Sequence, residues 1–213
     1  MIQLPLPIGW SERGEADRLL MTRANADAIA LLRDWARWPS PATLLVGPAR
    51  SGRSLLGRLF VAESGGELID DADRVDEEQL FNRWNLARES GRPLLLIAQE
   101  APPLWAVSLP DLRTRLATAA IARIAPPDEE VAAALIAHGL DRAGSAYAPG
   151  VPEFIARRVT RCYETVAKLV EALNAESLSS GRKLTVASGR AMLEAAGLLA
   201  AGDDEDEGAG TGG

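Results

Sequence analysis

Cysteine and histidine are almost absent from this chain of 213 residues, which has one of each, Cys162 and His138. A single cysteine cannot close an internal disulfide, and these two residues cannot assemble a cluster of soft metal ligands. A disulfide-stabilised fold and a zinc site built from such ligands are therefore excluded.

Long apolar runs are missing as well. No stretch approaches the roughly 18 consecutive apolar residues of a membrane-spanning helix, and the first residues lack the basic-then-apolar order of a secretory signal. Hydrophobic residues still make up 47% of the chain, enough to bury a substantial core. The sequence predicts a soluble, cytoplasmic protein without a membrane partner.

Basic residues are outnumbered by acidic ones, and the net charge is −7. Five acidic residues lie together at 203–207, so the charge of −7 becomes −2 when this run is set aside. Apart from this run the chain is nearly neutral, so it has no broad positively charged surface for DNA. We interpret residues 200–213, acidic and rich in glycine, as a disordered tail.

Short apolar runs alternate with helical patterns over the first part of the chain. Runs typical of buried strands occur four times, at 43–46, 68–69, 93–98 and 119–124. Apolar residues recur at helical spacing between these runs, and also from Ala16 to Trp38, which fits an amphipathic helix or a pair of helices. Strands alternating with helices predict an α/β fold with a doubly wound parallel sheet.

The pattern changes after Pro126, beyond which only helical spacing is found. We therefore expect four regions along the chain. They are an extended arm at 1–15, an α/β base at 16–126, a helical unit at 127–199 and the acidic tail at 200–213.

The segment Gly47–Ser54, GPARSGRS, lies between the first predicted strand and a predicted helix. Its spacing is that of the phosphate-binding loop G-x-x-x-x-G-K-[ST], except that Arg53 stands in place of the lysine. Such a turn directs backbone N–H groups at an anion, and the Ser54 hydroxyl would lie near a magnesium ion. The residues predicted to bind nucleotide here are Gly47, Pro48, Ser51, Gly52, Arg53, Ser54 and Leu55.

Two carboxylates, Asp70 and Asp71, follow the second predicted strand. Behind a phosphate loop, Asp70 would hold magnesium through water and Asp71 would activate the attacking water. A helix cap is the alternative interpretation of the same residues.

Several segments together resemble the Hda family of regulators of chromosome replication, which are relatives of the AAA+ module of the initiator DnaA. The resemblance covers roughly residues 1–198 and rests on QLPLP, GPARSGRS, LIDDADRVDEEQLFNRWNLARESGRPLLL, APPLW and LPDLRTRL. It implies an AAA+ α/β base with a C-terminal helical lid. It also implies negative regulation of replication initiation, in which ATP bound by DnaA is hydrolysed with help in trans.

The resemblance gives roles to residues that spacing alone leaves unassigned. Arg115 matches an arginine finger that reaches a neighbouring subunit's nucleotide, and Arg161 matches a lid arginine that senses bound ADP or ATP, with Arg157 and Arg158 as nearby rivals. Residues of the arm match a motif that docks onto the DNA polymerase III sliding clamp, the β subunit. These clamp-binding residues are Gln3, Leu4, Leu6 and Pro7. Direct sequence-specific DNA binding is not expected, and a homodimer is left open.

Three features depart from the family pattern. Arg53 replaces the lysine, Ile97 stands where a threonine is common, and the connection Glu63–Gly66 omits a strand and a helix, which predicts a sheet reduced by one strand. Each of the three weakens the case for hydrolysis at this site. We therefore expect a chain that holds ADP or ATP, with or without Mg²⁺, and has little turnover of its own. The alternatives are an independent NTPase or small kinase, and a nucleotide-free adaptor on the same fold.

Overall fold

The computed structural model describes residues 19–195. The arm residues Gln3–Pro7 and the tail 200–213 lie outside this range, so the predictions for them are not addressed by the structure. The chain divides into two compact units, one ending at Pro126 and the other beginning at Pro127. In the described range, no helix is long and apolar enough to cross a membrane.

The first unit alternates helices and strands, as the sequence predicts. Its elements are α1 (Ala26–Arg33), β1 (Ala42–Val46), α2 (Arg53–Ser64), β2 (Glu67–Ile69), α3 (Glu77–Ser90), β3 (Leu94–Ala98), α4 (Pro110–Thr118) and β4 (Ala120–Arg123). Short 3₁₀ turns cover Trp35–Arg37 and Ala72–Arg74.

The sequence predicts a helix or a pair of helices over Ala16–Trp38; the structure describes residues 19–38 of this stretch, where α1 is followed by the 3₁₀ turn Trp35–Arg37. Helix α1 begins only at Ala26, because the Asn25 side chain bonds to the backbone before it. Its Oδ1 accepts from the Thr22 N–H at 2.8 Å, and its Nδ2 donates to the Leu20 carbonyl at 2.9 Å. Asparagine competes in this way with helical hydrogen bonds, so it favours a helix boundary.

The four strands form one parallel sheet in the order β2-β3-β1-β4. This confirms the predicted parallel sheet and its missing strand. The connection from α2 to β2 is only Gly65 and Gly66. Gly66 fits there because it has no side chain: a Cβ at this position would lie 2.5 Å from the Pro93 carbonyl oxygen.

Helices cover both faces of the sheet. Alternate residues of β1 and β3, such as Leu44 and Leu96, share a buried cluster with residues of α3 and α4, such as Trp84 and Leu112. Ile97 points to the opposite face. A Cβ on Gly57 of α2 would lie 2.8 Å from its Cδ1, so this side chain packs against α2.

The second unit is helical. Its described helices are α5 (Glu129–Arg142), α6 (Val151–Arg158), α7 (Tyr163–Ser180) and α8 (Val186–Ala195). They pack around a core that includes Ile136, Ile155, Leu169 and Leu193. Asp128 caps α5 by accepting from the Val131 N–H at 3.0 Å, and its negative charge suits the positive N-terminal end of the helix.

We predict that Gly66→Ala lowers the free energy of unfolding by about 2 kcal/mol, because the added methyl group overlaps a backbone carbonyl that cannot move without shifting β3. Urea denaturation followed by circular dichroism measures this change. The matched control is Gly65→Asn, since Gly65 has a positive φ of 64° that asparagine tolerates and open space around it. Equal losses in the two variants would contradict the packing argument.

Candidate functional site

The glycine-rich loop lies at the carboxyl end of β1, between the ends of its two neighbours. From β1 the chain turns through α2 toward β2 and β3, whereas β4 lies on the other side. Ligands of open α/β sheets bind in the crevice beyond the strand ends at such a reversal of strand order. The loop therefore occupies the position that a nucleotide site requires.

The loop packs closely against Ile124, the residue just after β4. A Cβ on Gly47 would lie 2.9 Å from both Cβ and the carbonyl oxygen of Ile124, so only glycine fits. Gly52 takes the left-handed conformation, with φ at 90°, and begins α2. The Ser51 N–H donates to the Pro48 carbonyl at 3.3 Å. This geometry presents the first N–H groups of α2, at Arg53, Ser54 and Leu55, at the mouth of the loop.

Ser51 supplies the clearest sign that the loop fits a ligand. Its side chain is buried, and its Oγ has no hydrogen-bond partner among residues 19–195. A buried polar atom without a partner is unfavourable, and a ligand oxygen at the loop would satisfy it. The residues present thus fit a phosphate group.

Arg53 differs from the expected lysine in what it contacts. One guanidinium nitrogen, Nη1, donates a hydrogen bond to the Ala98 carbonyl oxygen at the end of β3. The side chain is half-buried, and this contact ties the start of α2 to the neighbouring strand. In this structure the positive charge is therefore engaged with the protein at the position where a lysine would meet phosphate.

The two predicted carboxylates lie at the end of β2 and are exposed. The Asp71 N–H donates to Oδ1 of Asp70 at 3.0 Å, and Asp71 has a positive φ of 49°. This left-handed conformation is uncommon outside glycine, and such residues cluster at functional sites. Asp73, which the sequence analysis passed over, accepts from the Gln99 N–H at 3.3 Å and links the ends of β2 and β3.

The predicted magnesium ligands are Ser54 and Asp70, both exposed. In the described part of the chain, no group of three or more His, Cys, Asp or Glu side chains could hold a metal ion by itself. A hydroxyl and a carboxylate are oxygen ligands of the kind that Mg²⁺ prefers, and nucleotide phosphates and water usually complete its shell. The donor set fits magnesium only together with a nucleotide.

The lid arginines of the prediction lie in the second unit. Arg161 immediately precedes the cap of α7, and its Nη1 lies 3.6 Å from Oε2 of Glu129. Arg157 contacts Oε1 of the same carboxylate at 3.1 Å. Arg158 instead stacks over the Phe154 ring, with its Cζ 3.9 Å from the ring centre. Of these arginines, Arg161 is the one in the loop before α7; its nucleotide role remains a prediction.

Arg161 is followed by two residues that shape the start of α7. Cys162 caps the helix by accepting from the Thr165 N–H at 3.4 Å, and hydrogen bonds with Thr165 lower the pKa of the thiol. Burial, and then the charge of Asp128, raise the pKa of Tyr163 to about 12. Tyr163 is therefore neutral at physiological pH.

Arg115 lies in the last turn of α4 and is half-buried at the surface of the first unit. Its guanidinium stacks on the Phe81 ring, with Cζ 4.1 Å from the ring centre, and its Nη1 donates to Asn85 Oδ1 at 2.6 Å. Neither partner carries a charge. Among the described residues, no carboxylate pairs with this guanidinium.

The residues around Arg115 were not identified from the sequence. Glu77, Phe81 and Asn85 all lie on α3, four residues apart, and all three contact α4 or the residues just before it. Their spacing is the one signal that could have revealed them, because residues at i, i+4 and i+8 share a helix face. The helical pattern predicted this face of α3 but gave no sign that it contacts α4.

Comparisons with known proteins agree with this fold. No protein-family model matches the chain. The structure is similar to domain III of the Thermotoga maritima replication initiation protein DnaA, with a TM-score of 0.72 and 15% identity over 90% of this chain and 98% of that one. It also resembles the replication initiator DnaA bound to AMPPCP and single-stranded DNA, with a TM-score of 0.62 and 10% identity over 77% of this chain and 65% of that one.

A third similar structure is the Thermotoga maritima RuvB Holliday junction branch migration motor, with a TM-score of 0.61 and 14% identity over 85% of this chain and 69% of that one. All three are far below the identity at which function can be inferred, so the likeness concerns the fold. The chain shares the α/β fold of these structures, with a parallel sheet, which confirms the predicted fold class.

We predict that Arg53→Lys lowers the stability of the nucleotide-free protein and raises its affinity for nucleotide. Loss of the bond to Ala98 lowers the free energy of unfolding by about 1 kcal/mol, and an ammonium at the loop tightens ADP binding about tenfold. Thermal unfolding with and without ADP measures both effects. Arg88→Lys, at an exposed position on α3, is the control. Unchanged stability and an unchanged ADP response in Arg53→Lys would contradict the role assigned to the Ala98 contact.

Proposed function

We propose that this chain is a negative regulator of replication initiation that acts on the ATP held by DnaA. It binds the DNA sliding clamp through Gln3, Leu4, Leu6 and Pro7. It then presents Arg115 to the nucleotide of DnaA and stimulates hydrolysis in trans. The observation that carries the proposal is the environment of Arg115: a surface guanidinium held by uncharged partners.

An arginine finger needs an available charge in a fixed position, because it stabilises the negative charge that develops on the transferred phosphoryl group. A carboxylate partner would neutralise that charge. Phe81 and Asn85 hold Arg115 without doing so. A guanidinium has five N–H donors, and the bond to Asn85 uses one of them, so donors remain for phosphate oxygens.

The chain's own nucleotide site has a different role in this proposal. The loop Gly47–Leu55 holds ADP or ATP, magnesium binds through Ser54 and Asp70, and Arg161 reports on the nucleotide. Turnover at this site is low, because Arg53 is bound to the Ala98 carbonyl and Ile97 is an apolar residue in the core. Asp71 keeps the position of the activating carboxylate.

The Arg53 contact also favours a second candidate, a nucleotide-free adaptor on the same fold. A guanidinium that is already bonded within the protein stabilises the empty loop. ADP retained through purification would exclude this candidate. Brisk magnesium-dependent hydrolysis by the isolated chain, lost in Asp71→Asn, would instead replace both proposals with an independent NTPase.

We predict that Arg115→Ala abolishes stimulation of DnaA-bound ATP hydrolysis in the presence of clamp loaded on DNA. The expected loss is at least about a thousandfold in the stimulated rate, the size of an arginine-finger effect. Release of labelled phosphate from preloaded DnaA measures it.

The control for this experiment is Arg88→Ala. Arg88 is an exposed arginine on the neighbouring helix α3 and has no recorded side-chain partner among the described residues. The Arg88→Ala variant removes one positive charge from the same unit. It should stimulate hydrolysis of DnaA-bound ATP as the wild type does. Full stimulation by Arg115→Ala would refute the proposed function.

We further predict that Gln3→Ala combined with Leu6→Ala weakens clamp binding by about tenfold or more, because the glutamine amide and the leucine are anchors that enter preformed pockets. Surface plasmon resonance with immobilised clamp measures the affinity. Ile8→Ala, just beyond the motif, is the control. Wild-type clamp affinity in the double variant would show that the arm does not carry the contact.

A further inference from the structure

Three residues on one face of helix α3 contact α4 or the residues just before it. Glu77, Phe81 and Asn85 are spaced by four residues and contact, in turn, the start of α4 and its last turn. We propose that Phe81 and Asn85 are positioning residues for Arg115 and that Glu77 anchors the helix that bears it. This inference rests on the proposed function, because it concerns how Arg115 is delivered.

The anchor is formed by the Glu77 carboxylate. Its Oε1 accepts from the Ser108 N–H at 2.8 Å, and its Oε2 accepts from the Leu109 N–H at 2.5 Å. Leu109 is the residue that precedes α4 and has no capping side chain of its own. Glu77 therefore supplies the cap from another helix, and its negative charge suits the positive end of α4.

The other end of α4 is fixed at Arg115 itself. The Phe81 ring supports the face of the guanidinium, and Asn85 Oδ1 accepts from one of its nitrogens at 2.6 Å. These contacts define both the plane and the rotation of the group. An arginine otherwise has many rotamers, and holding one of them in advance removes an entropic cost from the encounter with phosphate.

Both partners of Arg115 are neutral, as a positioning role that keeps the charge available requires. Elsewhere in the described chain, Arg83 pairs with Glu67 at 2.7 Å, and Arg157 pairs with Glu129 at 3.1 Å. Both arginines are paired with carboxylates that offset their charge. At Arg115 a neutral amide and a ring fix the geometry and leave the charge unpaired. An anion arriving from outside the chain would therefore meet an oriented cation.

Two substitutions test this inference in the full-length chain, with the stimulated hydrolysis of DnaA-bound ATP as the assay. Asn85→Ala removes the hydrogen bond, and Asn85→Asp keeps an acceptor but adds a negative charge. We expect Asn85→Ala to lower the maximal stimulated rate by about three- to tenfold, with the half-saturating concentration unchanged, because binding to the partner is intact. We expect Asn85→Asp to lower the rate at least as much, although it holds Arg115 more firmly.

Asn82→Ala is the matched control. Asn82 is exposed on the same helix, and its side chain makes no recorded hydrogen bond to the described residues. This variant should keep the wild-type rate. Circular dichroism and urea denaturation of all variants establish that the fold is intact.

The outcomes distinguish this inference from the proposed function. Full stimulation by Arg115→Ala refutes the proposed function and the inference with it. Loss of stimulation in Arg115→Ala together with a wild-type rate in Asn85→Ala refutes the inference alone. A wild-type rate in Asn85→Asp shows that geometry without a free charge suffices, and a raised rate in Asn85→Ala shows that the contact restrains Arg115. The first result overturns the requirement for a neutral partner, and the second overturns the positioning role.

Discussion

Strand β1 is hydrogen-bonded along both edges, to β3 and to β4, and this pairing determines where the candidate site lies. Because the strands are parallel, their carboxyl ends meet at one edge of the sheet, where β1 continues into the loop at Gly47. The end of β3 supplies the Ala98 carbonyl to Arg53, and the chain just after β4 supplies the close contact at Ile124. Without this strand register the loop would lose both the Arg53–Ala98 hydrogen bond and the close packing of Gly47 on Ile124.

Two arginines of the first unit have opposite environments, and their difference shapes the functional proposal. Arg53 donates to a backbone carbonyl within its own site, so its charge serves the fold. Arg115 stacks on the Phe81 ring and donates to the Asn85 amide oxygen at the surface, so its charge stays available. Under the proposed function, these two environments correspond to low turnover at the chain's own site and to an arginine that acts on a nucleotide bound elsewhere.

Local pattern was enough to predict most of the fold. The apolar runs predicted the four strands, and the missing strand was predicted by comparing the short connection Glu63–Gly66 with the family pattern. The Asn25 boundary was missed, since helical periodicity does not report a side chain that bonds to the preceding backbone. The loop residues Gly47–Ser54 could be proposed because their function depends on spacing along the chain.

Contacts between elements could not be predicted in the same way. Arg53 and Ala98 are 45 residues apart, and Arg115 and Asn85 are 30 apart, so no local pattern relates them. The most direct test of the central claim is a structure of the complete assembly with DnaA, loaded clamp and a non-hydrolysable ATP analogue. The account predicts an Arg115 guanidinium nitrogen about 3 Å from a γ-phosphate oxygen of DnaA, with the Asn85 contact retained. Arg115 directed away from that nucleotide, with another residue in its place, would contradict it.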